Sequence, residues 1–223
     1  MTYKTILLDV DGTLLDFTVS ASIALRILFE RRGWHYDESV FETYEGINNA
    51  LWEKYERGEM PREEVLTTRF RQLFDALGVD DDEFAFEPAF RTELENNPAW
   101  IDGAVELLDY LAAKYELDVV TNGVAKTQHK RMKLTGLDRW ITKTFISEEV
   151  GAPKPQKEFF DAALKGVDRA SVILIGDSLT ADIRGANDAG IKSIWYDPAG
   201  KGAGSIAAPD FIVNRLEEIK KIL

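Results

Sequence analysis

The chain has no cysteine and only two histidines, His35 and His129, among 223 residues. The first absence excludes disulfides, thiolate nucleophiles and zinc sites built on sulfur. The second leaves little for a histidine-rich metal centre or a serine triad. His129 lies in a basic stretch of helical character, Lys126 to Lys133, and is expected as a solvated helix residue. Long apolar runs are missing as well: none approaches the roughly 20 residues of a membrane-spanning helix. The N-terminus lacks the basic, apolar, small-residue order of a signal peptide, so a cytoplasmic protein without a membrane partner is expected. Positive charge is scarce, with 27 Lys and Arg against 39 Asp and Glu and a net charge of -12. That field repels polymeric nucleic acid and anionic lipid alike. A small anionic substrate needs local compensation by a lysine or a metal, and any chemistry must rest on carboxylates.

What is present is ordinary in bulk, 45% hydrophobic and 30% charged, with enough chain for one large domain or for a core domain carrying a smaller insert. The informative stretch is residues 4–13. Ile6, Leu7 and Leu8 run without polar alternation, which suits a strand covered on both faces in a parallel sheet. The run ends abruptly in Asp9, Asp11, Gly12 and Thr13. Parallel α/β sheets bind ligands outside the carboxyl ends of their strands, so this end is a candidate site. Taken alone, Asp11-Gly12 has a second reading, as the corner of a hairpin.

Beyond Leu15 the period becomes helical. Ile23, Ile27 and Leu28 predict one helix stopped by Gly33; Phe41, Tyr44, Ile47, Leu51 and Tyr55 predict a second, broken at Gly58 and Pro61. Leu66, Phe70, Leu73, Phe74 and Leu77 predict a third, closed by Gly78, and Asp80 to Asp82 offer an N-cap for a fourth that includes Phe84, Phe90 and Leu94. No convincing strand falls between about 16 and 97. From Asn96-Asn97-Pro98 helix and strand alternate: a helix from Ala104 to Tyr115, a strand Leu117–Thr121 running into Asn122-Gly123, a helix to about Leu134, and a strand at 144–146. A helix opened by Lys154-Pro155 follows, then a strand 172–175 ending in Gly176-Asp177-Ser178, a helix 181–189, strands at 194–196 and 211–213, and a terminal helix 216–223. The Gly/Ala-rich stretch 199–208 reads as a surface loop. The pattern predicts a doubly wound, mostly parallel α/β core with a helical insertion after its first strand.

Four separate segments thus place polar residues just past strand ends or at a helix start: Asp9 with Asp11, Thr121 with Asn122, Lys154, and Asp177 with Asp182. In this order they resemble the four motifs of the haloacid dehalogenase superfamily, with a helical cap inserted between the first and second. The resemblance spans essentially the whole chain and implies a core of residues 1–15 and 98–223 and a cap of 16–97. It further implies Asp9 as nucleophile, Asp11 as general acid and base, and Lys154 as a fixed charge beside them. Gly12, Thr13, Thr121, Asn122 and Gly123 would contact the phosphoryl group. Mg²⁺ would be held by Asp9, the Asp11 backbone carbonyl and Asp177, with Asp182 in the metal set as an orienting rather than a direct ligand.

The chemistry of the residue types agrees. A carboxylate can attack phosphorus and split a hard hydrolysis into two easier displacements. A second carboxyl can protonate the leaving alcohol and later accept a proton from water, an effect worth about 10²–10⁴-fold. Four carboxylates facing a phosphate dianion with one lysine repel strongly, and Mg²⁺ is the hard, oxygen-seeking cation that fits. Asp11 matters within the superfamily, because dehalogenases attack carbon and do not need this acid.

The insert must choose the substrate, since a cap closes over the mouth and excludes water. Its stretch from Tyr44 to Gly58, with Asn48 and Trp52, is similar to the cap of bacterial house-cleaning pyrimidine 5'-nucleotidases, as is Ile146 to Gly151 leading into Lys154. A pyrimidine nucleoside monophosphate is therefore the expected small-molecule substrate, with a phosphoglycolate or sugar-phosphate phosphatase, or a phosphomutase, as alternatives. A silent binding scaffold would lack one of the motif residues, and none is missing. Phe41, Tyr44, Leu51 and Tyr55 at helical spacing are core residues by default. Trp52 stands beside that stripe and is the better substrate or cap-interface contact, while Asn48 either bonds a base edge or caps the surface. A monomer or weak homodimer is expected.

Overall fold

The computed structural model describes residues 3–202, 204 and 206–223. They divide into two compact units, residues 17–99 as one and the described residues on either side of that span as the other. Each has a core of its own.

The first unit is built on six parallel strands: β1 (Thr5–Leu8), β2 (Glu116–Thr121), β3 (Lys143–Ile146), β4 (Val172–Gly176), β5 (Lys192–Tyr196) and β6 (Phe211–Val213). Their order in the sheet is β3-β2-β1-β4-β5-β6, so β1 lies centrally between β2 and β4. The strands read as near-continuous apolar runs because both faces are covered. Ile6 and Leu8 of β1 join Val119, Ile175 and Ile194 on one face. That face is closed by Leu107, Leu108 and Leu111 of the helix α5 (Ala104–Ala112). Leu7, Val120 and Leu174 point the other way, onto Phe159 and Phe160.

The second unit holds four helices, α1 (Phe17–Arg32), α2 (Glu38–Glu56), α3 (Arg62–Leu77) and α4 (Glu83–Asn96). Capping chemistry sets their ends. Asp37 and Asp82 accept backbone N–H bonds at the starts of α2 and α4, and Gly78 closes α3 at φ +64° in the left-handed region. Inside lies an aromatic cluster in which the Phe70 ring stands 4.8 Å from Phe86 and 5.1 Å from Phe90. Into it α3 inserts Arg69, buried, its guanidinium over the Phe70 ring at 4.8 Å and the Phe90 ring at 4.9 Å. Arg69 Nη1 donates to Tyr44 Oη (3.2 Å) and Asn48 Oδ1 (3.1 Å), and its Nη2 lies 3.5 Å from Glu87 Oε1. Burial pushes the Tyr44 hydroxyl up to about 12 against the opposing pull of Arg69.

Several local expectations change. On α1 the buried face is Ala21, Ala24, Leu25, Leu28 and Phe29, with Ile23 and Ile27 only half-buried on its flank. The two alanines carry too little hydrophobicity to mark that face in a pattern. On α4 Phe84 is 67% exposed and Phe86 occupies the interior. The terminal segment Leu216–Lys221 is 3₁₀ rather than α-helical, tight enough to bury both Leu216 and Ile219. The predicted helix 181–189 begins as a π-helical turn, Leu179–Ile183, before α9 (Arg184–Ala189). A one-turn helix, α7 (Ser147–Val150), had no counterpart in the pattern. The described part of 199–208 forms turns without a regular element, and positions 203 and 205 lie outside the described residues.

Phe70→Ala removes the ring that touches Tyr44, Phe74, Phe86 and Phe90 at once. The expected cost is about 3–5 kcal/mol of stability, read as a lowered urea midpoint; a change within about 0.5 kcal/mol, the range of an ordinary surface site, contradicts this account of the helical core.

Candidate active site

The site residues of the first unit gather where the central strands end. Asp9 follows β1, and its N–H donates to the Ile175 carbonyl at 3.0 Å, continuing the ladder one residue past the strand. The Asp9 side chain is thereby fixed at the sheet's carboxyl edge. Its partner comes from the loop before helix α8 (Lys157–Ala163): Lys154 Nζ donates to Asp9 Oδ1 at 2.7 Å, to Asp182 Oδ1 at 2.6 Å and to the Val120 carbonyl at 2.9 Å. An ammonium has three donors, and all three are used. The lysine is 1% exposed, and so is Asp182.

Neighbouring bonds hold this triad. Asn122, just past β2, brackets the lysine backbone: its Oδ1 accepts from Lys154 N–H at 2.8 Å and its Nδ2 donates to the Lys154 carbonyl at 2.9 Å. Asp182 Oδ2 accepts from Ser178 N–H at 3.1 Å, so both Asp182 oxygens have partners. Asp177 accepts from Thr13 Oγ1 at 3.2 Å, and its carbonyl accepts from Trp195 Nε1 at 2.8 Å. Gly12 sits at φ +87°, where a side chain is strained, and a Cβ built there would run into the Asp177 carboxylate.

Asp11 has different company. Its Oδ2 accepts from Gln128 Nε2 at 2.8 Å and its Oδ1 from Arg131 Nη1 at 2.5 Å, both donors lying on α6 (Ala125–Thr135). Thr121 Oγ1 accepts from Gly123 N–H at 3.1 Å and from Gln128 Nε2 at 2.8 Å. Asn48 and Trp52 belong to α2 of the other unit. There Asn48 Oδ1 is an acceptor for Tyr44, Trp52 and Arg69, with Trp52 Nε1 at 3.2 Å. His129 is an exposed residue paired with Glu149, as expected of a solvated helix position.

Charge and burial act against each other here. Burial raises the Asp9 carboxyl, Lys154 pulls it back and Asp182 raises it further, leaving it at about 7. Burial works to lower Lys154, but the carboxylates of Asp182 and Asp9 outweigh it and hold the ammonium well above its ordinary value. Asp177 is raised by burial and then by the charges of Asp9 and Asp182. Carboxylate oxygens of Asp9, Asp177 and Asp182 lie within 4.8 Å of one another. Three carboxyl groups share one ammonium, which cannot balance them all, and the donors are all hard oxygens. This fits a hard divalent cation.

The family model for haloacid dehalogenase-like hydrolases matches residues 6–196. The chain belongs to that family. Among curated members it is 38% identical to the HAD-hydrolase YfnB of Bacillus subtilis over 99% of this chain and 95% of that protein. It is 33% identical to the pyrimidine 5'-nucleotidase PynA of Streptococcus pneumoniae, covering 98% and 94%, and 29% identical to the pyrimidine 5'-nucleotidase YjjG of Escherichia coli, covering 100% and 99%. The crystal structure of magnesium-bound YfnB superposes with a TM-score of 0.94 over 100% of this chain and 99% of that one. L-2-haloacid dehalogenase from Xanthobacter autotrophicus, 19% identical with a TM-score of 0.76, shares the fold. Family membership and the α/β fold agree with the sequence expectation.

Within this family frame, Gln128 and Arg131 are the side chains that sequence reasoning missed. Their stretch reads as a basic solvated helix, and the one available signal was their spacing of three, which places them on one helix face.

The Asp9 shift predicts a pH effect whose sign is fixed. Between its ordinary 3.8 and about 7 the folded protein keeps a proton that the unfolded chain releases. Stability from this group is therefore complete below the lower value and lost as pH rises through the upper one. In chelator, Asp9→Asn should gain thermal stability relative to wild type as pH rises from about 4 to about 7, the comparison cancelling the titrating groups that lie away from Asp9. A difference that stays constant across that range contradicts the burial argument.

Proposed function

We propose that this protein is a Mg²⁺-dependent phosphomonoesterase that works through an aspartyl-phosphate, with pyrimidine nucleoside 5'-monophosphates as substrates. The observation that carries the chemistry is the buried Asp9–Lys154–Asp182 triad at the end of the central strand. An Asp9 oxygen attacks phosphorus while the P–O ester bond breaks, and the departing oxygen takes its proton from Asp11. Water then attacks the aspartyl-phosphate, Asp11 accepts a proton, and phosphate leaves with Asp9 restored. The same group thus serves as acid and then as base. Lys154 holds Asp9 in place and in charge balance, and Asp182, with both oxygens engaged, orients the lysine.

Asp9, the Asp11 backbone carbonyl and Asp177 would hold the cation, which supplies the positive charge that a phosphate dianion needs beside these carboxylates. Thr13, Thr121 and backbone N–H groups of the Gly12 and Gly123 turns are the proposed phosphoryl contacts, with Asn122 acting through the Lys154 loop it brackets. The substrate class rests on the relatives named pyrimidine 5'-nucleotidases. Under this reading Trp52 is the residue offered to the base, a ring contact of this kind being worth about 1–3 kcal/mol, while buried Asn48 accepts the Trp52 indole N–H at 3.2 Å instead of meeting the base.

With Mg²⁺ the purified protein is expected to release phosphate from dUMP, dTMP and UMP. Chelation should silence it reversibly, Asp9→Asn should abolish turnover, and Asp11→Asn should lower it by about 10²–10⁴-fold while leaving substrate binding. Phosphate-release assays check each point. Activity that persists in Asp9→Asn defeats the mechanism, and cleavage of phosphoglycolate or a sugar phosphate with all three nucleotides untouched defeats the substrate assignment.

A further inference from the structure

Helix α6 carries two side chains that its composition hides. Lys126, His129 and Lys133 face solvent, whereas Gln128 and Arg131 are each 1% exposed. A buried guanidinium is strongly unfavourable unless it is paired, and Arg131 is poorly provided for: its Nε and Nη2 have no partner. Its one bonded nitrogen, Nη1, reaches Asp11 Oδ1 at 2.5 Å and Gln128 Oε1 at 3.2 Å. Gln128 in turn spends its amide nitrogen on Asp11 Oδ2 and Thr121 Oγ1, both at 2.8 Å. Each Asp11 oxygen is therefore held by a different α6 side chain, and those two side chains are held by each other.

The surrounding turn is shaped to the same end. A Cβ at Gly123 would lie 2.6 Å from Gln128 Nε2, so only glycine leaves room for the amide. Asp11 keeps a side-chain exposure of 28%, against 1% for Arg131. The carboxyl thus has an open side beyond the two bonds that grip it.

We propose that Gln128 and Arg131 are positioning residues that set the Asp11 carboxyl for proton transfer to and from the ester oxygen. The inference rests on the phosphomonoesterase reading and adds the device that aims its acid. In the first step the Asp11 O–H bond breaks, its proton passes to the ester oxygen as the P–O bond breaks, and Asp9 forms the new O–P bond. Neither α6 residue exchanges a proton. Their contribution is the direction of the carboxyl, and placement errors of about 1 Å cost on the order of 10²-fold.

The leaving group separates this role from simple packing. A nitrophenolate departs as an anion near neutral pH, whereas an alkoxide needs the proton. The constant kcat/KM reports the steps up to alcohol release and is blind to the later hydrolysis that both esters share. Gln128→Ala and Arg131→Met should lower kcat/KM by about 10²-fold for dUMP, or for whichever alkyl phosphate the wild type cleaves, and by less than about 10-fold for p-nitrophenyl phosphate. Arg131→Lys, which keeps a cation within reach, should recover part of the loss. In an Asp11→Asn background Gln128→Ala should add no further selective loss, because the group it aims is gone. The ratio of the two substrates on one preparation cancels any unfolded fraction. Equal losses for both esters, or none for either, overturn the inference while leaving the parent reading intact. A wild type inert toward every phosphomonoester overturns the parent reading and this inference with it.

Discussion

A single ammonium group organises the site. Lys154 Nζ has exchanged water for two carboxylates and one carbonyl, at 2.6 to 2.9 Å. In that setting attraction must offset the desolvation of all three charges, which it does only when the geometry is good and each donor is satisfied. Lysine suits the position because its charge is compact and its three donors splay toward three acceptors, where a planar guanidinium would need an edge. Removing one partner from such a buried pair typically costs about 3–5 kcal/mol, because the charge left behind stays buried. The backbone around it is pinned accordingly. Asn122 brackets Lys154 from β2, Ser178 N–H fixes Asp182, and the Ile175 carbonyl fixes the start of Asp9. Strand ends from β1, β2 and β4 thus converge on one nitrogen.

This arrangement explains what was legible in the sequence and what was not. Apolar runs without alternation announced strands covered on both faces, and each of the functional carboxylates followed such a run, so β1 and β4 and their termini were readable from residue types alone. Helix ends marked by Asp82 and Gly78 were readable for the same reason, since capping is local chemistry. The α1 face was not, because Ala21 and Ala24 carry too little hydrophobicity to stand out in a pattern. Arg69, Gln128 and Arg131 were not, because a charged or polar residue is normally exposed and only tertiary partners reveal an exception. Asn48 was read as either a base contact or a surface cap; its oxygen, buried, meets three donors inside the helical unit. Motifs show where backbone and charge must converge, and they are silent on the side chains that hold the motif residues still.

The charge balance connects the whole chain to the site. A net charge of -12 makes the protein a poor attractor of anions at long range, and the site worsens this locally by burying several carboxylates. Asp9 and Asp177 are both pushed upward by burial and by the Asp182 charge, and Asp177 by the Asp9 charge as well, so the cluster is strained electrostatically. Under the proposed function, a cation that neutralises the cluster would relieve that strain and supply positive charge for a phosphate dianion. On that proposal, stability without the ion and function with it pull in opposite directions, as is common where binding groups are preorganised.

The two carboxylates that end the first strand show how environment divides labour. Asp9 is buried against an ammonium whose other two donors are taken, and it meets that ammonium through Oδ1. Asp11, two positions on, stands partly exposed and is gripped from α6 by an amide and a guanidinium. A nucleophile benefits from being held next to fixed positive charge and kept from water, whereas a group that both gives and takes a proton needs access to a leaving oxygen and then to water. Identical side chains meet different neighbours because β1 ends at Leu8 and the chain turns over Val10, the residue between them, whose carbonyl accepts from the N–H groups of Leu14 and Leu15. In the mechanism proposed above, surroundings and not residue type separate the attacker, Asp9, from the proton carrier, Asp11.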